Sequence, residues 1–272
     1  MLKNLLVHIP SELPTGSVVD AAISLATTHT AHLDAVSIGY AKLNTKSSVD
    51  GGTAATEREH ALQRANAALA AFETEARKAG VSYALNPLAG LPAEAAKALD
   101  KIARLHDLTV VAQPDRHYNT FDNVMHHEFL FESGGPVLFI PHVHKGPFDP
   151  KHIGIAWDGS RLAARALRDA SPFLTHAHAV TIISINEVPG SANASAADLA
   201  AHLARHGLTA RIERADAGHA EIQPLMLSIA TDIDVNLLVR GGYGRGGLEE
   251  FIMGGVTHDM LHSMKVPTLM SH

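Results

Sequence analysis

The chain has 272 residues, enough for two ordinary domains or one large one. With 46% hydrophobic and 18% charged residues it is core-forming, which excludes a largely disordered chain. The net charge is −6, no basic block of five or more occurs and cysteine is absent. These features argue against an electrostatic footprint for nucleic acid or an anionic membrane, and against disulfides, thiolate metal sites and a cysteine nucleophile.

The first apolar run, residues 4–9, is ended by Pro10 and reads as a buried strand. Ser17-Val18-Val19-Asp20 has the spacing of a capping box and opens an Ala-rich helix to about Thr28. A second strand follows over 33–38, then a polar, Gly-containing loop over 41–55. The Ala/Glu/Arg-rich stretch 56–78 reads as a helix stopped by Gly80. Further strands are expected over 81–86, 108–112 and 136–140, with a helix over 93–104 that has Pro92 near its first turn. No run reaches 18 apolar residues, and residues 1–8 hold one Lys and no long apolar core. The expectation is therefore a cytoplasmic protein with no membrane partner.

Residues 141–150 contain three Pro and two His and look like a linker, dividing the chain into 1–146 and 147–272. The same order of elements then returns. Strand 152–157, helix 161–174, strand 180–185 and helix 196–206 are followed by strand 210–214, helix 221–230, strand 237–239, helix 256–264 and strand 267–270. Leu5 matches Ile153, Gly90 matches Gly218, Leu108 matches Leu237 and Pro136 matches Pro267, at offsets of 148, 128, 129 and 131. The drop in offset assigns about 20 extra residues to the loop and long helix of the first half, near 41–60. Strands alternating with helices imply an α/β fold of two tandem, five-stranded parallel-sheet, Rossmann-like domains.

The strongest chemical signal is glycine-rich. Gly241-Gly242-Tyr243-Gly244-Arg245-Gly246-Gly247 follows a strand, and Gly254-Gly255 precedes a helix beginning at Val256. Glycines allow positive φ and close approach, so that successive N–H groups and a helix N-terminus can converge on an anion, with Arg245 adding a cation. The same glycines also suit a ligand-free turn. A G-x-G-x-x-G match lies here, but only 25 residues follow it, too few for a dinucleotide fold; the Walker A pattern fails for want of Gly-Lys-Ser/Thr. Asp158, in Trp157-Asp158-Gly159-Ser160, leaves the end of another strand, where open parallel sheets bind ligands. Its carboxylate suits a ribose or base contact. Equally, Asp158 or Ser160 suits capping of the following helix.

Gly241-x-x-Gly244, nine residues, Gly254-Gly255 and Val256, with a closing Pro267-Thr268-Leu269-Met270 strand, resemble the universal stress protein (UspA) superfamily, whose nucleotide-binding members carry G-x-x-G-x9-G-Ser/Thr. The order of elements resembles the tandem-domain type over essentially the whole chain; the specific motif is confined to 236–270. The resemblance implies an adenine-nucleotide alpha-hydrolase-like fold, a stress-response role and binding of ATP or AMP/ADP, with Mg as a compatible counter-ion. It implies that Asp158 contacts the adenine or ribose end and that Gly241, Gly244, Gly254, Gly255 and Val256 line the phosphates through their amides. Gly255 stands where the family has Ser/Thr, so a hydroxyl contact is missing.

The first half departs further. Gln113-Pro114-Asp115-Arg116-His117 has no glycine pair, Gly134-Gly135 directly precedes the last strand, and Pro10-Ser11-Glu12 stands where Asp158-Gly159-Ser160 stands in the second half. No nucleotide is expected there. Its expected role is structural, the final strands of the halves pairing within the chain as a pseudo-dimer; a homodimer is also compatible. Nineteen histidines include His258/His262 at i,i+4 spacing, but no third zinc ligand and no H-E-x-x-H motif accompany them, so surface or packing roles are the better account. No Ser/His/Asp set or general base is identifiable, so a binding protein is expected rather than an enzyme. A slow ATPase or related hydrolase and a ligand-free scaffold are the alternatives.

Overall fold

The computed structural model describes residues 1–41, 51–190, 193–242 and 261–272. Two compact units account for the chain: Met1–Val137 with Lys145–Phe148, and Leu138–His144 with Asp149–His272.

In the first unit the elements run β1 (Asn4–His8), α1 (Gly16–His29), β2 (His32–Tyr40), α2 (Gly51–Ala79), β3 (Ser82–Gly90), α3 (Pro92–Ala103) and β4 (Leu108–Ala112). A 3-10 turn (Phe121–Asn123), α4 (Met125–Glu132) and β5 (Val137–Ile140) follow, the last straddling the boundary between the units. The strands of this unit lie in the order β3-β2-β1-β4, all parallel. Leu5, Leu6 and Val7 are consecutive and fully buried, so both faces of β1 are covered. That double burial is why such strands read as unbroken apolar runs rather than alternating ones.

The second unit repeats the scheme with β6 (His152–Ala156), α5 (Arg161–Asp169), α6 (Ser171–Leu174), β7 (Ala179–Ile185), α7 (Ala196–Arg205) and β8 (Ala210–Ala215). A 3-10 turn (His219–Glu221), α8 (Ile222–Asp232), β9 (Leu237–Gly241) and β10 (Thr268–Ser271) complete it. Its parallel strands run β10-β9-β6-β7-β8.

The repeat extends to register. Leu5 lies between Leu33 and Leu108, and Ile153 lies between Val180 and Leu237. The residue before β4 in the first unit and before β9 in the second behaves alike. Asp107 Oδ2 accepts from the Lys3 and Asn4 amides at 2.7 and 2.9 Å, and Asn236 Oδ1 accepts from the Lys151 and His152 amides at 3.3 and 3.0 Å. Each returns its own N–H to the strand start, Asp107 to the Asn4 carbonyl and Asn236 to the His152 carbonyl, both at 2.8 Å.

Local details depart from the sequence expectations. Ser17 is inside α1, whose N-cap is Thr15 without a side-chain cap, so no capping box forms. The long second helix starts at Gly51, inside the stretch expected as loop, and is ended by Gly80 at φ +67°. The helix expected over 161–174 is broken into α5 and α6, because Pro172 has no N–H to continue the ladder. The 3-10 turn and α4 fall in a stretch where no element was expected. Among the described residues, no helix is long and apolar enough to cross a membrane.

Candidate functional site

In the second unit the chain leaves β6 toward β7 on one side of the sheet, while β9 pairs on the other side of β6. The crevice beyond the carboxyl ends of β6 and β9 is thus a topological switch point, where open α/β sheets take ligands. A cavity of ≈ 220 Å³ lies there. Strand parity explains its walls. Leu238 belongs to the apolar cluster formed with Ile183, Met226 and Val235, against which Ala156 and Ile185 also pack. Arg240, two residues on, keeps to the same face. The cavity is accordingly lined by Ala156, Ile183, Ile185, Ile222 and Met226 on its apolar side, and by Asp158, Ser160, Arg240, Gly241 and Gly242 on its polar side.

The turn after β6 is built around one glycine. Gly159 adopts φ +71°, and a Cβ there would come 2.6 Å from the Ala194 carbonyl oxygen. The same carbonyl accepts the Trp157 indole N–H at 2.8 Å, with the ring buried. Asp158 Oδ1 accepts the Ser160 amide at 2.8 Å, and Ser160 Oγ accepts the Ala163 amide at 3.2 Å. Ser160 is therefore the N-cap of α5, and Asp158 shapes the turn ahead of it, leaving the exposed carboxylate at the cavity mouth. Gly241 faces α5 from the other side. A Cβ on it would lie 2.7 Å from the Ala163 nitrogen and the Leu162 carbonyl carbon, so the strand end and the first turn of the helix touch through backbone.

Asp158 and Gly241, singled out from sequence, thus line one cavity. Gly244, Arg245, Gly254, Gly255 and Val256 lie outside the described residues, as does most of the helix expected over 256–264. Sequence reasoning passed over Arg240, because the strand was expected to end at Val239, and over Trp157, Ile222 and Met226, whose roles depend on which face of the sheet each element presents. Among the described residues, no group of three or more His, Asp or Glu side chains is arranged to hold a metal ion.

The first unit differs at the positions that close this place. His8, beside Val36, holds the register place of Ala156, beside Ile183. Its imidazole is buried, with Nε2 3.6 Å from Asp122 Oδ1 and its ring against Phe129. The other carboxylate oxygen of Asp122 accepts the Ser11 and Glu12 amides at 3.0 and 3.1 Å. Burial pushes Asp122 up to about 7, against the lowering effect of the Glu12 amide. Burial, then the nearby His126, pulls His8 down to about 3. Tyr40 is held protonated by burial and by the neighbouring Asp122. At the end of β2, a Cβ on Gly39 would lie 1.7 Å from the Ala61 carbonyl oxygen, and Arg64 donates to the Tyr40 carbonyl at 2.7 Å, so α2 lies directly over that strand end. The loop after β4 is tied to itself, with Asn123 accepting the Asp115 amide and donating to the Asp115 and Tyr118 carbonyls.

No curated protein matches the chain. Solved structures do match its fold. A universal stress protein from Archaeoglobus fulgidus DSM 4304 aligns with a TM-score of 0.74 at 17% identity, covering 98% of this chain and 95% of that one. A protein from Pseudomonas aeruginosa UCBPP-PA14 described as a universal stress protein aligns at 0.63 and 20% identity, covering 99% and 93%. The sequence model of the universal stress protein family matches residues 150–272, the unit that carries the cavity. The second unit thus matches the universal stress protein family model, and the chain as a whole shares the fold of these solved structures.

Proposed function

We propose that the second unit binds an adenine nucleotide, ATP or its di- or monophosphate, and that the chain is a cytoplasmic stress-response or signalling module rather than an enzyme. The observation that carries this reading is the cavity at the switch point, which brings Asp158 and the glycine strand end Gly241-Gly242 together beside an apolar wall. Its ≈ 220 Å³ falls below the range of about 300–1,000 Å³ usual for whole ligands, which suits a base held inside with the ribose and phosphates directed outward. The phosphates then meet the glycine-rich stretch, Gly244, Gly254, Gly255 and Val256 offering amides and Arg245 a charge. Among the described lining residues Asp158 is the single carboxylate, and one of its oxygens is engaged in the turn, which supports binding without a general base.

The first unit is proposed to bind no nucleotide. His8 stands in the place of a small cavity residue, Asp122 holds the turn amides, and α2 lies over the end of β2.

Trp157, the chain's single tryptophan, lines the cavity and gives a direct readout. Mass spectrometry of ligand released from purified protein is expected to find adenine nucleotide. ATP titration followed by Trp157 fluorescence and calorimetry is expected to give one site per chain without steady-state phosphate release. A protein that carries no nucleotide and gives no response to millimolar ATP would refute the reading, and sustained turnover would move the chain to the enzyme class.

A further inference from the structure

We propose that Arg240 is the side chain through which this cavity selects phosphorylated ligands over uncharged nucleosides. The proposal rests on the nucleotide-binding reading above and adds a residue that the glycine motif does not contain.

β9 reads Leu237-Leu238-Val239-Arg240-Gly241, and its first three residues are fully buried. Arg240 follows Leu238 on the face that packs against Met226, where an apolar side chain would extend the core cluster. A guanidinium at such a half-buried place carries a desolvation cost that an aliphatic residue would avoid. The charge falls at the one point on that face where the strand opens into the cavity. Breaking the apolar run there, and not earlier in the strand, places the charge where the strand meets the cavity.

The geometry also says which part of the ligand Arg240 meets. Its Nε lies 3.4 Å from the Gly241 carbonyl oxygen, which turns the side chain back along the strand end toward Gly241-Gly242. The opposite wall of Ile183, Ile185, Ile222 and Met226 is where a planar base can be buried. The guanidinium is thereby set at the glycine side, and its fork of donors matches phosphate oxygens. In a site partly closed to water, such a contact is stronger than on an open surface.

The test compares ATP with adenosine on the full chain, using Trp157 fluorescence, for the wild type, Arg240→Met and Arg240→Lys. Met keeps the length and suits the apolar face; Lys keeps the charge without the fork. Arg240→Met is expected to weaken ATP about tenfold or more and to change adenosine less than about twofold. Arg240→Lys should lie between the wild type and Arg240→Met for ATP. Adding salt should weaken ATP binding by the wild type more steeply than by Arg240→Met. Equal losses for ATP and adenosine in Arg240→Met would overturn the proposal, since they would mean a packing or base contact, and so would unchanged ATP affinity. Wild-type protein that binds neither ligand would instead bring down the nucleotide reading itself, and the role of Arg240 with it. Circular dichroism of Arg240→Met is expected to match the wild type, and a collapsed spectrum would also count against the proposal, because it would make Arg240 a folding residue.

Discussion

His8 in the first unit and Ala156 in the second hold the same register position, each the last residue of its unit's first strand, β1 or β6. One methyl group leaves a cavity floor in the second unit; one imidazole fills that place in the first and meets Asp122 at 3.6 Å. The pair carries a pH signature that single substitutions expose. His8 is lowered to about 3 by burial and then by His126, so taken alone it stabilises the fold above its unfolded value of 6.5, and that stability is lost as pH falls toward 3. Asp122 is raised to about 7 by burial, so its effect has the opposite sign: stability is greatest below its unfolded value of 3.8 and is lost as pH rises toward 7. Between these limits the folded pair holds one proton, and so does the unfolded pair, so the two slopes nearly cancel.

Asp122→Asn removes one side of that balance while its amide oxygen can still accept the Ser11 and Glu12 N–H groups. His8 then stays buried and uncharged in the fold. Relative to the wild type, stability of the variant is expected to rise more steeply with pH between about 4 and 6.5, by up to about 1.4 kcal/mol per unit. Urea midpoints at pH 4.5, 5.5 and 6.5 measure the difference. Parallel pH profiles for the two proteins would mean that the pair does not share its proton as described.

Gly39→Ala tests how α2 covers the first unit. Its new methyl would lie 1.7 Å from the Ala61 carbonyl oxygen, and backbone cannot rotate away as a side-chain tip can. The helix must shift, and with it the bond from Arg64 to the Tyr40 carbonyl. A loss at the upper end of about 1–3 kcal/mol is expected in chemical denaturation. A variant within half a kcal/mol of the wild type would show that the helix yields freely there.

Asp107 and Asn236 do one job with different chemistry, each holding two amides at the start of its sheet. If the job is hydrogen bonding and not charge, Asp107→Asn should cost less than about 0.5 kcal/mol. Asp107→Ala should cost about 1 kcal/mol, since water reaches the freed amides at this exposed site. Melting temperatures of the two variants separate the cases, and equal losses would assign the effect to the carboxylate's charge.

Much of this fold could be read from residue order alone, for a physical reason. Strands buried on both faces, such as β1 and β4, lack the regular alternation of polar positions that a half-exposed strand shows, so their mainly apolar runs mark them directly. The matched positions Leu5/Ile153 and Leu108/Leu237 fall in register for the same reason. What escaped reading depends on three dimensions. Ser17-x-x-Asp20 has the spacing of a capping box, but the helix starts one residue earlier and makes the motif internal. Gly51-Gly52 looks like loop, yet the chain is already helical there. Asp158 and Gly241 were legible as strand-end residues. Arg240 was not, because its importance comes from sharing a face with Leu238 and facing α8, which a linear pattern does not reveal.

Two glycines on either side of that strand end should respond differently to substitution. Gly241 touches the backbone of Leu162 and Ala163, so Gly241→Ala must displace the first turn of α5, and with it the Ser160 cap and the Asp158 turn. The variant is expected to lose about 1–3 kcal/mol of stability and, through the displaced turn, about tenfold or more in ATP affinity. Gly244→Val, in the glycine-rich stretch itself, is expected to abolish nucleotide binding while the protein stays as stable as the wild type. Paired denaturation curves and Trp157 titrations measure both. A Gly241→Ala protein that binds ATP normally would show that the approach of β9 to α5 does not shape the site. A Gly244→Val protein with wild-type affinity would remove the glycine-rich stretch from the nucleotide-binding reading.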